Sequence, residues 1–287
     1  MSAANENVVE AVRDRYGKIA RGEVSGCCGP TGVCGGSAET KVALEIGYGR
    51  RELDDLPEGA NLGLGCGAPL AALDLVEGEA VLDLGSGAGI DALIAARKVG
   101  PKGRVIGVDM TPDMLERARG NAARGGFTNV EFREGRLEAL PVEAGSVDAI
   151  TSNCVINLVP DKAAVFREAA RVLKPGGRMV VSDIVLDGRL PEAIEKDVYA
   201  YVGCVSGAMQ RDDYFGLLRA AGFEVEVLKD VDYLAAMEEA APEEARALLE
   251  RSGVGREEVV GRVRSLTYRA RKAEACCAPS CCGGGAE

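Results

Sequence analysis

The chain has 287 residues and a formal net charge of −11, a length that fits one large α/β domain with additions or two small domains. The acidity and the absence of any long Lys/Arg run argue against a general nucleic-acid binder. Charges or glycines break every apolar run short of the roughly 20 residues a membrane-spanning helix needs. Histidine is absent, so imidazole bases and zinc-ligating histidines are excluded. Cysteine occurs 10 times; in a soluble, cytoplasmic chain, which is the expectation here, that points to metal, metalloid or redox chemistry rather than a disulfide scaffold.

Met1 to Ala20 reads as a charged amphipathic helix with no apolar signal core. Residues 21–40 form a Gly/Cys-rich loop holding Cys27, Cys28 and Cys34, and residues 41–75 carry helix fragments and the glycine-rich turn Asn61–Ala68 around Cys66. The apolar run Ala80–Leu84 predicts a buried strand, Gly85–Gly89 a tight loop and residues 90–99 a helix. A second strand is expected at Arg104–Asp109 and a helix from about Pro112, with proline at an early helical position, to Arg124. Further strands are expected at Val130–Arg133, Ser146–Thr151 and Arg178–Asp183, with a helix over 161–173 stopped by Lys174-Pro175-Gly176-Gly177. Helical stretches at about 191–221 and 241–262 accompany alternating strands at Phe223–Val227 and Ser265–Arg269. Residues 273–287, with Cys276, Cys277, Cys281 and Cys282, read as a mobile tail. Strands alternating with helices imply an α/β fold, a mostly parallel sheet with helices on both faces and right-handed crossovers.

Asp83-Leu-Gly-Ser-Gly-Ala-Gly89 closes a strand and opens a helix. Glycines at such a turn let a ligand approach the backbone. Asp109 ends the next strand about 20 residues on, where an acid can accept hydrogen bonds from ribose hydroxyls. Loop, strand context and spaced acid together indicate a nucleoside cofactor in the crevice at the carboxyl ends of the strands. Asp83, Gly85, Ser86, Gly87, Gly89 and Asp109 are its candidate contacts. Asn153 either hydrogen-bonds the cofactor or caps a turn; Tyr48 and Asp197 lie near segments able to close the site, without an assigned role.

Cys154 follows the fourth strand, while Cys66 and Cys204 sit in segments able to fold over the crevice, so thiols from three distant segments can converge. Thiolates are soft ligands, suited to trivalent arsenic, whose lone pair can attack an activated methyl with no proton to remove. The enzyme would then contribute mainly positioning. The alternative is that each cysteine packs as a small buried hydrophobe. The paired tail cysteines suit metalloid capture, zinc or copper, or no catalytic role; two adjacent pairs so close together do not give ordinary C-x-x-C geometry.

From Ala80 to Asp183 the chain resembles the class I S-adenosylmethionine methyltransferases. Val81–Gly89 resembles their first motif, Val108-Asp109-Met110 the ribose acid with its adenine-packing neighbour, and Gly135–Pro141 the adenine-edge loop. Arg136 stands where many relatives carry an acid, which leaves backbone contacts from Leu137 and Glu138. Val172–Arg178 resembles a structural late-core motif. Asn61–Gly67, Ser152–Leu158 and Gly203–Ala208 are similar to the cysteine motifs of the arsenite methyltransferase family. That resemblance implies S-adenosyl-L-methionine as cofactor, arsenic bound by Cys154 and Cys204, and Cys66 as a third thiolate active in redox cycling. It also implies an N-terminal partner for Cys66, with Cys28 and Cys34 as candidates beside Cys27. Arsenite or thiol-conjugated arsenic would be substrate and a thiol such as thioredoxin or glutathione the reductant, with no nucleic-acid or membrane partner.

The expected organisation is a class I, Rossmann-like core at 71–187, an N-terminal cysteine-bearing segment at 1–70, a C-terminal part at 188–272 that completes the sheet and covers the arsenic site, and the tail at 273–287. Other readings are a methyltransferase of another small molecule, or a non-catalytic metalloid-binding or redox protein.

Overall fold

The structure, a computed structural model, describes residues 3–24, 36–195, 207–240 and 242–273. The strands are β1 (Ala80–Leu84), β2 (Arg104–Asp109), β3 (Val130–Glu134), β4 (Val147–Asn153), β5 (Leu173–Leu186), β6 (Met209–Gln210), β7 (Phe223–Asp232) and β8 (Val263–Lys272). They form one eight-stranded sheet in the order β3-β2-β1-β4-β5-β8-β7, with β6 paired to β5. β1 to β5 run parallel, and β8 inserts antiparallel between β5 and β7. The order reverses at β1, where β2 leaves to one side and β4 to the other, and such a switch point opens a crevice at the carboxyl ends of the strands.

The helices are α1 (Ala3–Ala20), α2 (Gly36–Ile46), α3 (Arg50–Asp54), α4 (Ile90–Val99), α5 (Pro112–Arg124), α6 (Lys162–Val172), α7 (Glu192–Glu195), α8 (Arg211–Ala220), α9 (Tyr233–Ala240) and α10 (Pro242–Ser252). Every residue of β1 is buried, as a strand covered on both faces must be. Leu82 and Leu84 pack into one core with Phe166 of α6 and Tyr214 of α8. Val81 faces the other core with Leu93 of α4 and Leu115 of α5. The sheet's period of 2 thus sorts one strand into two cores.

The first two strands and helices α4 and α5 fall where the sequence places them. The differences lie at the ends. The run Lys174–Gly177, read as a helix stop, belongs to the irregular start of β5, where the register slips between Val147 and Ala149. The stretch at 191–221 holds only α7, the short β6 and α8 among the described residues. The stretch at 241–262 becomes α10 and a 3-10 turn at Arg256–Glu258, because Gly253 takes φ +64° and a left-handed glycine ends a helix. α9 was not among the helices expected from the sequence. Among the described residues no helix is long and apolar enough to cross a membrane. The tail from residue 274 on lies outside the described residues.

Beneath the sheet's carboxyl end, β5 buries Asp183 completely. Its Oδ2 accepts the Tyr214 hydroxyl at 3.1 Å, and that hydroxyl lies 3.1 Å from the Tyr268 hydroxyl. Burial pushes the Asp183 carboxyl up to about 7, against the opposing pull of the Ile184 N–H, Lys162 and Tyr214. A raised folded-state value favours the folded protein below the ordinary carboxylate range, and that contribution disappears as pH rises through about 7. Replacing Asp183 with Asn is therefore expected to flatten the fall in unfolding free energy between about pH 4 and pH 7. Urea unfolding across that range measures this, and an unchanged slope would show that Asp183 does not titrate there.

Candidate functional site

The glycine loop turns through left-handed conformations at Gly85 (φ +72°), Gly87 (+50°) and Gly89 (+97°). A Cβ on Gly85 would collide with the Val155 side chain, whereas one on Gly87 would meet nothing within 4 Å. The first glycine thus permits close packing against the loop after β4, and the second leaves its backbone open to the crevice. Asp109 fixes the loop from β2: its Oδ2 accepts the Gly87 N–H at 3.0 Å and its Oδ1 the Thr111 N–H at 2.8 Å. The fully buried Asn121 of α5 adds a hydrogen bond from Nδ2 to the Ala88 carbonyl at 2.8 Å.

Three carboxylates gather here. Burial, then the neighbouring Asp91 and Asp109 charges, push Asp83 well above the usual carboxylate range. Burial holds Asp91 at about 6, against the lowering effect of hydrogen bonds from Tyr48 and Asn153. Burial also raises Asp109, with the Thr111 and Gly87 N–H groups pulling it back. Desolvated like charges of this kind favour a cationic ligand.

The crevice encloses about 1090 Å³ including its open mouth. Its wall includes Asp83, Ser86, Asp109, Met110, Leu137 and Glu138, so the predicted cofactor residues come together. Asp83 Oδ2 and Ser86 Oγ are buried with no hydrogen-bond partner among the described residues. The orphaned Ser86 Oγ and an acidic cluster that includes Asp83 and, at the end of β2, Asp109 fit S-adenosyl-L-methionine, which carries a sulfonium, an ammonium, a carboxylate and a ribose diol. Arg136 turns to Glu138 at 2.9 Å and to Glu6 of α1 at 3.6 Å. Val12 and Tyr16 of α1 close the apolar side of the crevice. The sequence marked α1 as amphipathic but did not say what its apolar face covers.

Cys154, directly after β4, also lines this crevice. It takes φ +57°, a left-handed conformation uncommon away from glycine and often found at functional positions, and its N–H donates to the Ser182 carbonyl at 2.8 Å. Cys66 is joined to it as a disulfide, with Cα atoms 5.8 Å apart. The cysteines from the turn before the core and from the end of β4 therefore meet, but as a disulfide with each other, where the resemblance implied an N-terminal partner for Cys66. Cys204, and Cys27, Cys28 and Cys34 with them, lie outside the described residues. Asn153 spends its side chain on the Cys66 turn: Oδ1 accepts the Cys66 N–H at 3.1 Å, while Nδ2 donates to the Gly67 carbonyl at 2.6 Å and to the Tyr48 hydroxyl at 3.0 Å. Asp91 was missed in the sequence, although an acid two residues after the last loop glycine was the available signal. Asp197 lies outside the described residues.

A parallel sheet with an antiparallel strand inserted near one edge, a switch-point crevice and an acid-anchored glycine loop together define a class I methyltransferase fold. Residues 75–222 match a methyltransferase domain family. The arsenite methyltransferase of Halobacterium salinarum is 45% identical over 76% of this chain and 58% of its own length. The human arsenite methyltransferase is 41% identical over 55% of this chain and 44% of its own. The crystal structure of an arsenic(III) S-adenosylmethionine methyltransferase from Chlamydomonas reinhardtii superposes with a TM-score of 0.61 at 36% identity, covering 81% of this chain and 74% of that one. The chain belongs to the arsenite methyltransferase family. It spans 58% and 61% of two of the curated relatives it matches.

Gly85→Ala is expected to weaken S-adenosylhomocysteine binding at least about tenfold, because the new methyl group is strained at positive φ and overpacks the loop. Titration calorimetry tests this, and wild-type affinity would mean that the loop does not contact the cofactor.

Proposed function

We propose that this chain moves the methyl group of S-adenosyl-L-methionine to trivalent arsenic held by the thiolates of Cys66, Cys154 and Cys204. The observation that carries the reading is the pairing of Cys66 with Cys154, which stands in the wall of the crevice lined by Asp83, Ser86 and Asp109. Bound there, S-adenosyl-L-methionine supplies an electrophilic methyl on a sulfonium, which a metalloid lone pair can accept without a base.

The disulfide form cannot ligate arsenic. A thiol reductant of the thioredoxin or glutathione kind first delivers two electrons and two protons to the Cys66–Cys154 bond, giving two thiols and its own disulfide. Each thiol then displaces one hydroxyl of arsenite as water, so an arsenic–sulfur bond forms for each arsenic–oxygen bond broken. Soft thiolates hold a soft ion tightly, and ligands from separate chain segments fix its orientation. Holding the arsenic beside the bound methyl donor removes much of the entropic barrier.

The Asp83, Asp91 and Asp109 cluster favours the methyl donor over its product, which has lost the sulfonium charge, and this helps the product leave. Cys66, Cys154 and Met110 pack against an apolar cluster that includes Val12 and Leu158, which limits water at the reacting centre. A mechanism that needs reduced thiols suits the cytoplasm.

With arsenite and a thiol reductant, the protein is expected to form methylated arsenic. Cys154→Ser should lower kcat/KM roughly a hundredfold or more while S-adenosylhomocysteine still binds. Chromatography with elemental detection separates the arsenic species. Cofactor binding without any methylated arsenic from the wild type would turn the search to an organic methyl acceptor.

A further inference from the structure

The cofactor crevice and the Cys66–Cys154 pair are linked by one short, partly buried chain of hydrogen bonds. Tyr48, which follows α2, is 5% exposed. Its hydroxyl donates to Asp91 Oδ1 at 2.9 Å and accepts from Asn153 Nδ2 at 3.0 Å. Asn153 Oδ1 in turn accepts the Cys66 N–H at 3.1 Å and lies 4.0 Å from the Cys66 sulfur.

The direction of this chain is dictated by its first member. A carboxylate only accepts, so the Tyr48 proton points to Asp91 and only its lone pairs remain for Asn153. Burial and the Asp91 charge hold the Tyr48 hydroxyl well above its usual range, so it keeps that proton. Asn153 therefore presents its NH2 to Tyr48, as it does to the Gly67 carbonyl at 2.6 Å and to Asp91, which leaves its oxygen facing Cys66. A flipped amide would set a donor against the Cys66 N–H. The surroundings accept only this arrangement. Gly65 takes φ +118°, and a Cβ there would sit 2.8 Å from Asn153 Nδ2. From the opposite side the Ser265 hydroxyl of β8 donates to the Cys66 carbonyl at 3.0 Å.

We propose that Tyr48 is a positioning residue for the arsenic-binding dithiol: it fixes the Asn153 amide, which holds Cys66 against Cys154. This assignment rests on the function proposed above for the two cysteines. Tyr48 touches neither sulfur and acts through Asn153 alone. Once the disulfide is reduced, Asn153 Oδ1, 4.0 Å from the Cys66 sulfur, is placed to accept its S–H and keep that sulfur facing its partner. Losing the hydroxyl loosens Cys66, lowers the effective concentration of one thiol at the other, and so favours the dithiol over the disulfide.

The test is the equilibrium between the Cys66–Cys154 disulfide and its dithiol in dithiothreitol buffers, read by differential alkylation and peptide mass mapping. It needs neither arsenic nor cofactor, so its failure is distinct from a failure to methylate arsenic. Tyr48→Phe should shift the equilibrium toward the dithiol at least about threefold, with S-adenosylhomocysteine affinity within about twofold of wild type. Asn153→Ala should shift it at least as far, and the double variant no further than Asn153→Ala alone, as for two residues acting in series. An unchanged equilibrium in Tyr48→Phe, or additive shifts in the double variant, overturns the proposal. If Tyr48→Phe does not fold, Asn153→Ala carries the test, and an unchanged equilibrium there overturns it equally.

Discussion

Three carboxylates stand together at the carboxyl ends of β1 and β2 and the start of α4, Asp83 and Asp91 almost without access to water and Asp109 partly buried. Burying like charges side by side is costly, and the surrounding chain is arranged to meet that cost. Asp109 is partly compensated by the N–H groups of Gly87 and Thr111. Asp91 takes the Tyr48 hydroxyl. Asp83, the deepest, keeps one oxygen without a partner in the crevice wall. The glycine loop, the placement of Asn121 under Ala88 and the approach of α2 through Tyr48 all follow from holding this cluster in place.

The same cluster reaches the second half of the site. Asp91 faces the cofactor crevice on one side and, through Tyr48 and Asn153, orders the turn that carries Cys66 on the other. The N-terminal segment and the core are thereby tied together before any substrate binds. The far end of the chain takes part as well. Because β8 enters the sheet beside β5, Ser265 and Thr267 come within reach of the Cys66–Gly67 turn; Thr267 and Ser182 share a hydrogen bond at 2.9 Å. A Cβ on Gly67 would collide with the Ser182 side chain, so the turn can lie this close to the sheet only as glycine.

How much was legible in the sequence differs from one part of the site to the other. The cofactor half is local: Asp83, Gly85, Ser86, Gly87 and Gly89 share one strand–loop–helix unit, and Asp109 ends the adjacent strand. Alternating burial and glycine spacing expose such units in a linear reading. The cysteine half is not local. Cys66 and Cys154 are 88 residues apart, and composition and motifs nominate both without saying that their sulfurs meet. Nor does the linear order show that Asn153 turns its amide to Cys66, since Tyr48, Asn153 and Gly67 become neighbours only after β4 pairs with β5 and the preceding turn folds back over the sheet.

By itself the sequence determined the parallel α/β core, the glycine loop with its spaced acid at the switch point, and the absence of any imidazole. These follow from short-range periodicity, from glycine's access to positive φ and from which side chains are present at all. Only the tertiary structure decided that Cys66 pairs with Cys154, that Asp91 joins Asp83 and Asp109, that α1 closes the crevice, and that β8 braces the Cys66 turn. Each of those depends on contacts between distant segments, where burial sets both the proton affinity of the acids and the direction of every hydrogen bond.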